Sequence, residues 1–246
     1  MPLISPAGSS VTHAPASALS RAPNLDRQLR VELVGPAGAG KSTLVQSLAS
    51  RLRSDTGEIW GLPVLPLLAN GLQLVPTFSR LWLHSGSLLW GETRHMVRLQ
   101  TLGKVLRRPQ ARGTEVLTLD EGPVFALVWL RGFGHEVLRD EVSSEWWTTA
   151  FREWAALIDV VVVLDAPDHI LAERIRARPR DHEVKQFPDD EIARWMARFR
   201  EALEWVLVGL SRHGGPVVVR LSSEDVGSDR LAERLAEELC GRVCVR

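Results

Sequence analysis

The sequence predicts an α/β fold built on a mostly parallel sheet with helices on both faces. Three observations carry that reading. Short runs of almost pure aliphatic residues recur along the chain, Val160-Val-Val-Val-Leu164 being the clearest, as strands buried on both faces require. Amphipathic helical patterns alternate with those runs. The first run also leads through a glycine-rich turn straight into a helix, which is the order a phosphate-binding site needs.

Taken in order, residues 1–28 are rich in Ala, Pro and Ser and lack apolar periodicity, so a disordered tail is expected. They show neither a basic start nor a continuous apolar run, and so do not read as a secretory signal. A single domain is expected over 29–246. It opens with a strand at Arg30–Val34, then Gly35-Pro-Ala-Gly-Ala-Gly40-Lys41-Ser42, then a helix whose Leu44, Val45, Leu48, Ala49 and Leu52 share one face. An extra strand is expected around Glu58–Val64. The stretch Gly61–Trp90 carries Arg80 as its one charged residue and is interrupted by Pro63, Pro66 and Pro76. It reads as buried helices over a substrate cleft, within a helical acceptor-binding insertion over 61–110; contact with an apolar substrate or a membrane surface through 61–90 is the competing reading. Further strands are predicted at Glu115–Leu119, Val160–Leu164 and Pro216–Leu221. Helices are predicted at Trp146–Leu157, Asp168–Arg178, Asp189–Leu210 and Asp229–Leu239. Pro167 and Pro179 bracket the second of those helices.

Composition narrows the function classes. The 30 basic residues cancel the 30 acidic ones, leaving no global field to attract nucleic acid, so no nucleic-acid partner is expected. Cys240 and Cys244 stand alone near the C-terminus, too few for a disulfide framework or a zinc site, and read as free thiols in a reducing cytoplasm. The prolines of 61–90 argue against a membrane span, which needs about 20 continuous apolar residues.

The glycine turn matches G-x-x-x-x-G-K-[ST] in full. Such a loop curls so that backbone N–H groups face phosphate oxygens, and the helix that follows adds its positive end. Gly35, Pro36, Ala37, Gly38, Ala39, Gly40, Lys41, Ser42 and Thr43 are therefore the candidate ATP-binding residues. Lys41 is expected on the β- and γ-phosphates and the Ser42 hydroxyl on Mg²⁺. Asp120 and Glu121 follow the next buried strand, where parallel sheets bind ligands. Asp120 is assigned to Mg²⁺ and Glu121 to general base, and the alternation of side chains along a strand leaves the two roles interchangeable. Arg174, Arg178 and Arg180 form a third group, Arg174 and Arg178 on one helical face, suited to spread phosphoryl charge from a lid over 174–188. Arg94 and Arg98, with Lys104, Arg107 and Arg108 beyond them, read first as a solvated helix face; a phosphate already on the acceptor is the alternative. Trp82, Trp90, Trp129, Trp146 and Trp147 read as core rather than as base-stacking residues.

These segments resemble the P-loop nucleoside and nucleotide monophosphate kinases. Glu173-Arg174-Ile175 through Arg178, Arg180 and Glu183 is similar to the lid of deoxynucleoside kinases, and Val160–Asp165 with the long later helix looks like thymidylate kinases. The resemblance runs over about residues 30–239 and implies a five-stranded parallel core, ATP, Mg²⁺ and a mobile lid. Glu58 and Trp60 resemble the Glu and Trp that nucleoside kinases use near base and sugar. One departure stands out. Those families place an arginine directly after the acidic residue ending the middle strand, and here Gly122 holds that place. The expected function is transfer of the ATP γ-phosphate to a small-molecule acceptor, a nucleoside or nucleoside monophosphate. The rivals are a P-loop ATPase switch without such an acceptor and a kinase of an apolar alcohol at a membrane surface. A homodimer stays open.

Overall fold

A computed structural model describes residues 28–52, 54–108, 116–178, 184–224 and 227–244, the last five by backbone only. Residues 1–27 of the expected tail, Arg180 with 179–183 of the expected lid, and the side chains of Cys240 and Cys244 lie outside the described residues.

Five parallel strands form one sheet in the order β2-β3-β1-β4-β5. They are β1 (Leu29–Val34), β2 (Asp55–Gly57), β3 (Val116–Asp120), β4 (Val160–Asp165) and β5 (Val217–Ser222). Strand β1 is central and buried along its whole length. Because every strand runs the same way, Val34, Asp120, Asp165 and Ser222 all finish at one edge, the edge where open α/β sheets hold ligands.

The nine helices assigned among the described residues are α1 (Lys41–Leu52), α2 (Val64–Gln73), α3 (Val75–Ser85), α4 (Trp90–Arg107), α5 (Pro123–Gly132), α6 (Ser144–Leu157), α7 (Asp168–Ala177), α8 (Asp189–Ser211) and α9 (Ser228–Cys244). Two cores follow from strand alternation. Leu29, Val31, Leu33, Val160, Val162 and Leu164 pack with Leu44, Leu48, Ile175, Met196 and Leu235. Val34, Leu119, Val161 and Val163 pack on the other face with Leu99, Leu127, Trp154, Phe199 and Leu203.

On that second face β1 presents two charged residues, Arg30 and Glu32, which are 7% and 0% exposed. Each serves the ends of helices. The Arg30 guanidinium donates to the carbonyls of Leu106 and Leu157, the last turn of α4 and the last residue of α6. The Glu32 carboxylate accepts N–H bonds from Val124 at 2.9 Å and Phe125 at 2.8 Å, in the first turn of α5. Helix ends leave unsatisfied carbonyls at one terminus and N–H groups at the other, with matching partial charges. An arginine and a glutamic acid on successive inward positions of one strand answer both.

Three expectations change. The short strand is β2 at Asp55–Gly57, just ahead of the expected Glu58–Val64, because Asp55, Thr56 and Gly57 pair with Leu117, Thr118 and Leu119. Helix α5 was not anticipated, since its run of buried apolar residues has no polar stripe to betray a period. Residues 61–90 do form helices, with Pro66 and Pro76 in first turns where a missing N–H costs nothing, but these helices are not buried. Val64, Leu65, Leu68, Leu72, Trp82, Leu83, Leu88 and Trp90 are all more than half exposed. The expected core role therefore holds for Trp147, which is buried, and not for Trp82 or Trp90. Among the described residues no helix is long and apolar enough to cross a membrane.

Candidate active site

The loop from Gly35 to Gly40 joins β1 to α1. Gly38 adopts a left-handed conformation (φ 85°), and a Cβ there would lie 2.7 Å from the carbonyl oxygen of Leu171 on α7, so both backbone and space demand glycine. Lys41 opens α1 and folds back over the loop, its Nζ donating to the carbonyls of Gly35 at 2.8 Å and Pro36 at 3.0 Å. Ser42 and Thr43 follow in the first turn, both exposed. Burial pushes the Lys41 ammonium down to about 8; Asp120, Glu121 and Asp165 lie close enough to oppose that shift, and Arg178 close enough to add to it. Residues from three separate segments thus lie near one lysine.

Asp120 ends β3 and stands in register with Leu33. Its Oδ1 is buried and has no hydrogen-bond partner. An unpartnered buried carboxylate oxygen is costly, and a hard cation held jointly with the Ser42 hydroxyl would satisfy it; the donor types fit Mg²⁺. Among the described residues no group of three or more His, Cys, Asp or Glu side chains forms a separate metal cluster.

Glu121 follows in the left-handed region (φ 51°), a conformation that costs a non-glycine residue roughly 1–3 kcal/mol. The surroundings hold it there. The Ile59 N–H donates to its carbonyl at 3.3 Å, and the Trp60 indole Nε1 donates to its Oε2 at 2.7 Å. The two acids therefore diverge: Asp120 has a free oxygen, and Glu121 is tied to Trp60.

Gly122 explains the missing arginine. A Cβ at this position would lie 2.8 Å from the carboxyl carbon of Glu32. Glu32 is held from behind by the α5 amides, so it has little room to yield. Burial raises its pKa to about 8, against the backbone amides of Val124, Phe125 and Gly122 that lower it, with Asp120 adding to the rise. The motif search overlooked Glu32, although a lone acid in the middle of a buried strand was a visible signal.

The arginines divide. Arg174 lies within α7, not in a lid, and its guanidinium donates to Ser223 Oγ at 2.9 Å and to the Ser223 carbonyl at 2.8 Å. The expected lid over 174–188 thus begins inside α7, which continues to Ala177. Arg178 caps α7, near Lys41. Arg200 on α8, not singled out from sequence, grips both oxygens of Asp165 at 2.7 and 3.0 Å and reaches Asp168 at 2.6 Å; those carboxylates raise its pKa. On α4, Lys104 bonds Asn70 and Gln73, and Arg107 pairs with Glu153 at 2.9 Å. Arg94 and Arg98 instead lie against the Trp60 ring, at 5.2 and 4.7 Å from its centroid.

Residues 31–202 match the family model described as an AAA domain, AAA_33. The chain belongs to this AAA-domain family of P-loop proteins. In structure, this AAA-domain protein is similar to thymidylate kinase from Candida albicans (TM-score 0.57, 13% identity, over 88% of this chain and 92% of that one). It is also similar to deoxyadenosine kinase from M. mycoides (TM-score 0.51, 12% identity, over 87% and 99%). Those likenesses establish a P-loop kinase-like fold. A curated relative, the zinc import ATP-binding protein ZnuC of Pseudomonas fluorescens, is 32% identical over 114 residues. The match covers 37% of this AAA-domain chain and 44% of that relative, so the chain spans less than half of ZnuC.

Proposed function

We propose that this protein is an ATP-dependent kinase that transfers the γ-phosphate to a hydroxyl or phosphate oxygen of a small acceptor, a nucleoside or nucleoside monophosphate. The observation that carries the reading is the glycine loop between β1 and α1, with Lys41 folded over it and the unpartnered Asp120 Oδ1 at the same strand-end edge of the parallel sheet. The loop amides and Lys41 bind the phosphates, for which Lys41 exchanges its two loop carbonyls. Ser42 and Asp120 are the residues to hold Mg²⁺, which when bound supplies neutralisation of the charge on the transferred group. Where the attacking oxygen is a hydroxyl, Glu121 takes its proton, and where it is an ionised phosphate oxygen no base is needed; Trp60 aims the Glu121 carboxylate in either case. Arg178 supplies cationic charge beside the loop, and Arg180 is assigned to the same group by its sequence position.

The exposed apolar side chains of α2 and α3 favour a second reading, transfer to an apolar alcohol at a membrane surface. Cosedimentation with phosphatidylcholine vesicles, lost in Leu65→Glu/Leu72→Glu, would support it.

Coupled ADP release with Mg-ATP tests the main reading across nucleosides, nucleoside monophosphates, sugars and isoprenoid alcohols. The expected result is stimulation by one acceptor class, reduced on the order of 10²- to 10³-fold in Lys41→Ala. Slow release indifferent to every acceptor would favour a P-loop ATPase switch and overturn the kinase reading.

A further inference from the structure

Trp60 is fixed on several sides. Its indole N–H is bound by Glu121, and the buried His95 ring meets it edge-on at 5.3 Å between centroids. His95 is itself stacked on Trp129 at 4.1 Å with planes 9° apart, and its Nδ1 is bonded to the Gly91 carbonyl at 2.8 Å. Burial holds the His95 pKa down, with Arg94 and Arg98 adding to the effect and Glu92 opposing it. A neutral histidine thus supports the tryptophan from one side, and two guanidiniums lie against its ring.

Those guanidiniums are not neutralised among the described residues. Among the described residues no salt bridge includes Arg94 or Arg98, and the Arg98 Nε is buried without a hydrogen-bond partner. Glu92, the nearest acid in sequence, accepts the His135 N–H instead. Two like charges one helical turn apart repel each other. Cation–π contact offsets part of that repulsion and leaves the net charge of two in place. Lys104 and Arg107, further along the same helix, are by contrast paired, so the unneutralised pair is confined to the turns beside Glu121.

We propose that Arg94 and Arg98, seated on Trp60, form an anion subsite for a phosphate monoester already present on the acceptor. The inference rests on the kinase reading above and narrows it to a phosphorylated acceptor. The charge count selects the ligand: a dianion neutralises both arginines, and a forked guanidinium matches phosphate oxygens. A neutral nucleoside would leave both charges unmet, and a monocarboxylate would leave one.

Isothermal titration of the full chain saturated with Mg-ADP tests this, using nucleosides, their 5′-monophosphates and size-matched hydroxycarboxylates as probes. Saturation removes binding of phosphate at the glycine loop. The monophosphates should bind about tenfold or more tightly than the parent nucleosides. Arg94→Gln/Arg98→Gln should abolish that preference while Mg-ADP affinity is unchanged, which also reports that the variant is folded. Arg194→Gln, which removes a surface charge paired with Asp190, should change neither. Equal affinity for nucleosides and monophosphates, preference for the carboxylates, or a preference that survives the double substitution overturns the subsite and leaves the kinase reading standing. Failure of all three probe classes to bind overturns the subsite together with the nucleoside or nucleotide acceptor.

Discussion

On the kinase reading proposed above, the donor half and the acceptor half of this molecule are built on different terms. Around the glycine loop the named cations already have hydrogen-bond partners, Lys41 in loop carbonyls, Arg174 in Ser223 and Arg200 in Asp165 and Asp168, and the oxygen left over is Asp120 Oδ1. Across Glu121, the acceptor half keeps Arg94 and Arg98 unneutralised and leaves the leucines of α2 exposed. A site that always receives the same triphosphate is served by backbone geometry, which tolerates little variation. A site that selects one acceptor relies on side chains whose charge and shape are completed only by the ligand. On the kinase reading proposed above, the difference places acceptor specificity in the segment from Trp60 to Arg98, not in the loop.

Gly122 sits at the joint between the halves, and substituting it should have the largest effect on stability. Gly122→Ala drives a methyl into the Glu32 carboxylate, and overpacking of this kind costs about 1–3 kcal/mol. Urea denaturation should show a lowered midpoint at constant slope. If the variant instead matches the wild type, Glu32 yields freely and the joint is not rigid.

Glu32 itself sharpens the contrast through pH. Burial raises its pKa from 4.5 to about 8, so the folded chain retains a proton that the unfolded chain releases. The associated stability is fully present below about pH 4.5 and is lost as pH rises through about 8. Glu32→Gln removes this titration. Thermal melts from pH 5 to 8.5 should therefore show the wild type losing stability relative to the variant as pH increases; parallel curves would mean that the α5 amides keep Glu32 ionised throughout.

A smaller effect is expected at Arg174. Arg174→Met removes its two bonds to Ser223 and, at a half-exposed site, should cost about 1 kcal/mol with phosphoryl transfer nearly unchanged. A collapse of turnover would return Arg174 to the catalytic group where its sequence position first suggested it.

The donor half was legible because its signal is local. Gly35 to Ser42 specifies a backbone shape, and Val160–Leu164 specifies a buried strand, without reference to distant residues. The acceptor half was not. Trp60 and Glu121 are joined by a hydrogen bond across a sequence separation of 61 residues, which no periodicity reports. Arg94, Arg98, Lys104 and Arg107 share one helix and a common charge, so pattern alone could not divide the paired from the unneutralised. Gly122 looked like a lost arginine until Glu32, on another strand, accounted for it.

Following the label from [γ-³²P]ATP in the presence of nucleoside monophosphates tests the central claim most directly. The account predicts label transferred to the acceptor by the wild type and lost in Lys41→Ala. Label recovered only as inorganic phosphate, at a rate no acceptor changes, would contradict it.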